Sequence, residues 1–136
     1  MRRALLAVAV LLLATGCEGD PAEPDRTEAL SGTLERSASA TAPLSMRNTG
    51  NLRVTAIDLE AVAADGTTGP AIGGLTFGVG TGTTAACIAS GNFGLIKGSV
   101  ISLGLHKGDY CIKLSEPTAV AEGSSLRYQL QLEISD

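Results

Sequence analysis

Three cysteines and a single histidine, Cys17, Cys87, Cys111 and His106, are the residues of this 136-residue chain with the widest chemical reach. A thiol can be oxidised, bound to a metal or used as a nucleophile, and each use needs a different neighbourhood. A zinc site would require three or four ligands at short spacings, whereas neither Cys87 nor Cys111 has a second cysteine near it in sequence. An even pair in an oxidising compartment is most simply a disulfide, so Cys87 and Cys111 are expected to be bonded to each other. His106 would serve as a general base only beside a nucleophile and an orienting acid. In the run Leu105-His106-Lys107-Gly108-Asp109 it reads instead as a solvated turn residue.

Other candidate chemistries lack their parts. No Gly-x-Ser-x-Gly elbow is present for a serine nucleophile. Residues 78–82, Gly-Val-Gly-Thr-Gly, would cradle a phosphate only between a strand and a helix, and the strand-like stretch that follows makes a flexible β-turn the expectation. Asp58, Glu60, Asp65 and Asp109 do not approach the spacing of a calcium-binding EF-hand loop. The chain is therefore read as non-catalytic, with no cofactor and no metal expected. Its aromatic residues are Phe77, Phe93, Tyr110 and Tyr128, with no tryptophan, which disfavours a planar sugar platform and a small-molecule ligand. Asn92 and Phe93, inside Ser90-Gly91-Asn92-Phe93-Gly94, are the binding candidates, Phe93 being read as an aromatic displayed on a loop. The same ring would also serve as a plug for the end of a sandwich.

The surroundings of Cys17 differ from those of the other two thiols. Arg2 and Arg3 form a charged start, residues 4–13 are an apolar run, and small residues lead to Cys17, which together read as a secretory signal over residues 1–16. The run is about half of the roughly 20 residues a membrane-spanning helix needs. Leu13-Ala14-Thr15-Gly16-Cys17 resembles the lipobox of bacterial lipoproteins. That resemblance implies a diacylglycerol on the Cys17 sulfur, cleavage before it, and a lipid anchor in the inner or outer membrane of a bacterial envelope with the domain extracytoplasmic. Ala14 and Gly16 also satisfy ordinary signal peptidase, whose cut would leave Cys17 as a free thiol. Residues 17–30 are expected to form the lipidated cysteine and an acidic tether, since residues 18–28 hold five acids, two prolines and no large apolar side chain.

The formal charge of the chain is -4, and losing Arg2 and Arg3 with the signal leaves about -6. A phosphate backbone demands clustered Lys and Arg, so nucleic acid is excluded as a partner. About a hundred residues remain after the tether, enough for one domain over residues 31–136.

The elements that would position any site are strands. Leu126, Tyr128, Leu130, Leu132 and Ile134 alternate with polar residues and predict a strand with one face on a core. Ile101, Leu103 and Leu105 make a second row and Tyr110, Ile112 and Leu114 a third, and with the turn between them they predict a hairpin. In that phasing Cys111 points away from the core, placing the disulfide on an outer face or edge. Leu52, Val54 and Ala56 alternate before a change of phase at Ile57 that suggests a bulge. Leu34, Leu44 and Met46 suggest one or two edge strands, and residues 75–79 and 85–89 two more. Seven to nine short strands predict an all-β fold, a single antiparallel β-sandwich or jelly roll.

The run Leu105-His106-Lys107-Gly108-Asp109-Tyr110-Cys111-Ile112-Lys113-Leu114, followed by Tyr128-Gln129-Leu130-Gln131-Leu132, resembles the closing strands of bacterial pre-peptidase C-terminal domains. The resemblance implies a secreted β-sandwich that acts as a targeting, binding or inhibitory module. The expected function is that of a lipid-anchored module that contacts an envelope protein or polymer through loops or an exposed sheet edge. A structural accessory of an envelope complex is the alternative, ahead of a small hydrolase or enzyme inhibitor.

Overall fold

Period-two patterning dominates the chain after the acidic segment, and the computed structural model, which describes residues 24–71, 73–116 and 120–136, is built from strands and turns. Among the described residues there are nine strands and no helix: β1 (Arg26–Glu35), β2 (Ser39–Met46), β3 (Gly50–Val62), β4 (Thr68–Pro70), β5 (Leu75–Thr81), β6 (Ile88–Leu95), β7 (Val100–Leu105), β8 (Gly108–Ser115) and β9 (Ser125–Ser135). They form two antiparallel sheets packed as a sandwich. One sheet runs β1-β9-β3, with β4 and β7 both on the far side of β3; the other runs β2-β8-β5-β6.

β9 carries the clearest alternation and lies between β1 and β3, hydrogen-bonded on both sides. Leu126, Tyr128, Leu130, Leu132 and Ile134 are all buried, as their spacing predicts. Leu34, Leu44 and Met46 meet them from β1 and β2, and Phe77, Ile112 and Leu114 from β5 and β8. Burying each of the larger side chains is worth about 1.5–3 kcal/mol, so this inner layer is the main source of cohesion. On β3 the register shifts between Ala56 and Asp58. The extra residue is Ile57, which is left exposed while Ala56 and Leu59 both remain buried, so the expected bulge is present.

Four sequence expectations need correction. The tether was expected to extend to residue 30, yet β1 begins at Arg26 and pairs with β9 along Arg26–Glu35. The open edge of β9 supplies hydrogen bonds that the polar composition of residues 26–30 does not advertise. The rows on β7 and β8 do not form a hairpin, because β7 pairs with β3 and β8 with β2 and β5 in the other sheet. Residues 106–107 form an arch between sheets, with the Tyr110 hydroxyl donating to the His106 carbonyl at 2.9 Å. Residues 85–87 belong to a turn, with β6 starting only at Ile88. Residues 78–81, expected in a flexible turn, lie within β5, where a Cβ on Gly80 would strike the Ile88 carbonyl oxygen.

The first inter-sheet turn is held by a buried carboxylate. Ser37 adopts a left-handed φ of 63°, which an L-residue pays for unless its surroundings hold it there. Its backbone N–H donates to Glu116 Oε2 at 2.6 Å, and the Glu116 N–H donates to the Ala38 carbonyl at 2.9 Å.

Candidate functional site

Cys87 and Cys111 form a disulfide with a Cα–Cα distance of 5.8 Å. Cys111 does project from the outer side of β8, since its neighbours Ile112 and Tyr110 take the core phase, but it is nevertheless buried. The cover is the connection between β5 and β6, residues 82–87, which crosses the outer face of the sheet. Gly82 starts it at φ 114°, and the Thr41 hydroxyl on β2 donates to the Thr84 carbonyl at 2.6 Å. The disulfide thus pins this strap over β8. Cys17 lies outside the described residues.

The residues considered for acid–base or metal chemistry are dispersed. His106 stands exposed in the arch between β7 and β8. Asp58 pairs with Lys97 at 3.4 Å, Glu60 with Arg127, Asp65 with the Thr67 hydroxyl at 2.6 Å, and Asp109 with the Ser45 hydroxyl at 3.0 Å. That bond with Thr67, joined by one from its backbone N–H, holds Asp65 below the usual carboxylate range. Among the described residues, no three His, Cys, Asp or Glu side chains converge as a metal site requires.

The sheet edges differ among themselves in a way that does define a surface. A free edge presents unpaired backbone N–H and C=O groups, and proteins guard it with charge, proline or brevity. β1 has Arg26, Glu28 and Glu35; β2 has Pro43 opposite Cys111; β4 has three residues and ends in Pro70. β6 and β7 carry none of these guards. From Gly66 to His106 the sequence holds one charged residue, Lys97, and that residue sits in the turn joining the two strands. Among the described residues, β6 bonds only to β5, and β7 only to β3. Ile88 is 76%, Ile96 63% and Val100 47% exposed along or beside this edge. The one guard β6 retains is a bulge, where the register shifts against Gly78 and Gly80.

Where β6 faces β7 the sandwich stays open as a groove of about 210 Å³, floored by Val79 and Tyr110 and walled by Phe93, Leu103 and Leu105. Ligand pockets run to about 300–1,000 Å³, so this one suits an inserted side chain more than a whole small molecule. A larger depression of about 540 Å³ lies between β4 and the turn at Lys97. Its charged members, Glu60 and Lys97, already have Arg127 and Asp58 as partners.

Phe93 and Asn92 were expected on a loop and both lie within β6, opposite Phe77 and Gly78. Strand alternation sends them to opposite faces: Phe93 lines the groove, while Asn92 lies on the outer face near Lys113 and Thr76. They therefore share one strand edge but not one face of the sheet. Sequence alone does not place β6 and β7 at edges, although the forty residues around Lys97 that carry no other charge are the visible signal of this surface.

No protein-family model matches the chain, and no curated protein matches it.

Proposed function

We propose that this protein is a non-catalytic lipoprotein of the bacterial cell envelope, anchored by acyl chains on Cys17, whose extracytoplasmic sandwich docks another protein or an envelope polymer along the β6–β7 edge. The observation that carries this reading is the contrast between edges. β1, β2 and β4 are guarded by charge, proline or shortness, while β6 and β7, side by side, present free backbone groups flanked by Ile96, Val100 and Phe93. An added strand gains main-chain hydrogen bonds from such an edge, and an apolar side chain gains burial in the adjoining groove. Two acyl chains, each buried methylene worth about 0.8 kcal/mol, would hold the module at the membrane.

The test places a photo-reactive residue at Ile96 or Val100, and as a control at Thr27 on β1, in membranes carrying the full chain. Specific adducts from the β6–β7 positions and none from Thr27 support the proposal. Equal labelling from both sides sinks it. Cys17→Ala moves the protein from the membrane to the soluble fraction if the anchor is as proposed.

A further inference from the structure

We infer that the occupant of the β6 edge is the β6 edge of a second copy of this chain, paired antiparallel across a two-fold axis. The inference rests on the docking surface proposed above and takes the protein docked there to be a second copy rather than a foreign one. Three observations favour a second copy.

The chain's own N-terminal segment is a poor occupant. Residues 17–23 contain Glu18, Asp20, Glu23 and Pro21, and they lead into β1, at the opposite edge of the sandwich from β6 and β7. An uncharged edge gives carboxylates no counter-charge, and a proline cannot complete a strand ladder.

Charge confines where two copies can meet. Both carry a net negative charge, so their surfaces repel over most approaches. The β6–β7 edge is the stretch of chain cleared of charge except for Lys97, whose ammonium group is 3.4 Å from Asp58. Selection of a foreign partner ordinarily uses complementary charge. This edge has none to offer, whereas an identical uncharged strand meets it without penalty.

Shape and symmetry agree. Antiparallel pairing of like with like consumes both free β6 edges and closes at two copies, so an unguarded edge need not lead to open aggregation. The bulge near Gly80 and Ala89 leaves residues 92–95 as the regular part of the edge. Gly94, with open space beside it, lets a second backbone come close, while Phe93 and Ile96 supply apolar contact across the axis.

The test uses the full chain in its membrane, with Asn92→Cys and Gly94→Cys made singly and mixed, and the unsubstituted chain as control for Cys17. Residues near a two-fold axis face their own copies, so oxidation is expected to give a disulfide-linked species of twice the chain mass. Adding Gly94→Lys to Asn92→Cys sets like charges against each other and should cut that species by about tenfold or more. Asn92→Lys paired with Gly94→Cys serves the same purpose if Gly94→Lys lowers the unfolding midpoint. Absence of the linked species at both positions overturns self-pairing. If photo-adducts from Ile96 or Val100 then identify a different protein, the docking surface stands and only the second copy is wrong. If neither appears, both fail.

Discussion

Phe77 and Phe93 stand directly opposite each other on β5 and β6, yet Phe77 is fully buried and Phe93 is 36% exposed. The difference lies in what flanks the two strands: among the described residues β5 has β8 on its other side, and β6 has no strand there. Phe77→Ala should cost about 3–5 kcal/mol, the usual range for emptying a core aromatic site. Phe93→Ala should cost less, about 1–2 kcal/mol, since part of that ring already faces solvent. Denaturant unfolding of the two variants checks the contrast, and equal losses would mean that the groove is closed in solution.

Removing both cysteines tests the strap across β8. A sequence separation of 24 residues between Cys87 and Cys111 predicts a loss of about 3.5 kcal/mol in the chain-entropy model. Cys87→Ala with Cys111→Ala should lower the urea midpoint without changing the far-ultraviolet signature of strand. A loss below about 1 kcal/mol would show that the bonds around Thr84 hold the strap without the crosslink.

Two glycines on neighbouring strands should respond oppositely to alanine. A Cβ at Gly80 meets the Ile88 carbonyl and the Ala89 backbone, so Gly80→Ala forces β5 and β6 apart and should cost about 1–3 kcal/mol. Gly94 has nothing near its added Cβ and no left-handed φ, so Gly94→Ala should stabilise by about 0.4–1 kcal/mol through the unfolded chain. Thermal midpoints moving in the same direction would contradict the placement of β6.

Acid should loosen the end of the sandwich that holds Asp136. The Arg47 backbone N–H donates to the Asp136 carboxylate, and the Arg26 and Arg47 guanidinium groups lie near it, which holds Asp136 below the usual carboxylate range. A carboxyl depressed in the folded state adds stability above its unfolded pKa and loses it as pH falls through the folded value. Asp65 shifts in the same direction. Asp136→Asn should therefore be less stable than the parent near neutral pH and converge with it on acidification. Midpoints measured against pH that run parallel for the two proteins would remove Asp136 from this account.

Much of the fold could be read locally. The alternation of β9, the phase change at Ile57 and the apolar points Leu34, Leu44 and Met46 each reflect a side chain's choice between core and water, which is written in residue type. The pairing of Cys87 with Cys111 is the simplest reading of an even pair with no nearby metal-ligand partners, and the two sulfurs are bonded. The start of β1 is not legible locally, because a polar stretch becomes a strand when a neighbouring edge offers hydrogen bonds, as β9 does for Arg26–Glu35.

By itself, the sequence determined that this chain builds strands, which face of most of them is buried, and that its middle third is almost free of charge. Only tertiary structure decided that β7 and β8 belong to different sheets, that Asn92 and Phe93 face opposite ways from one strand, and that the uncharged segment supplies two adjoining open edges. The physical reason is that alternation records a side chain's face but not its strand's neighbour. The same pattern satisfies a hairpin or an arch, and the choice between them is made by which distant strands complete the backbone hydrogen bonds.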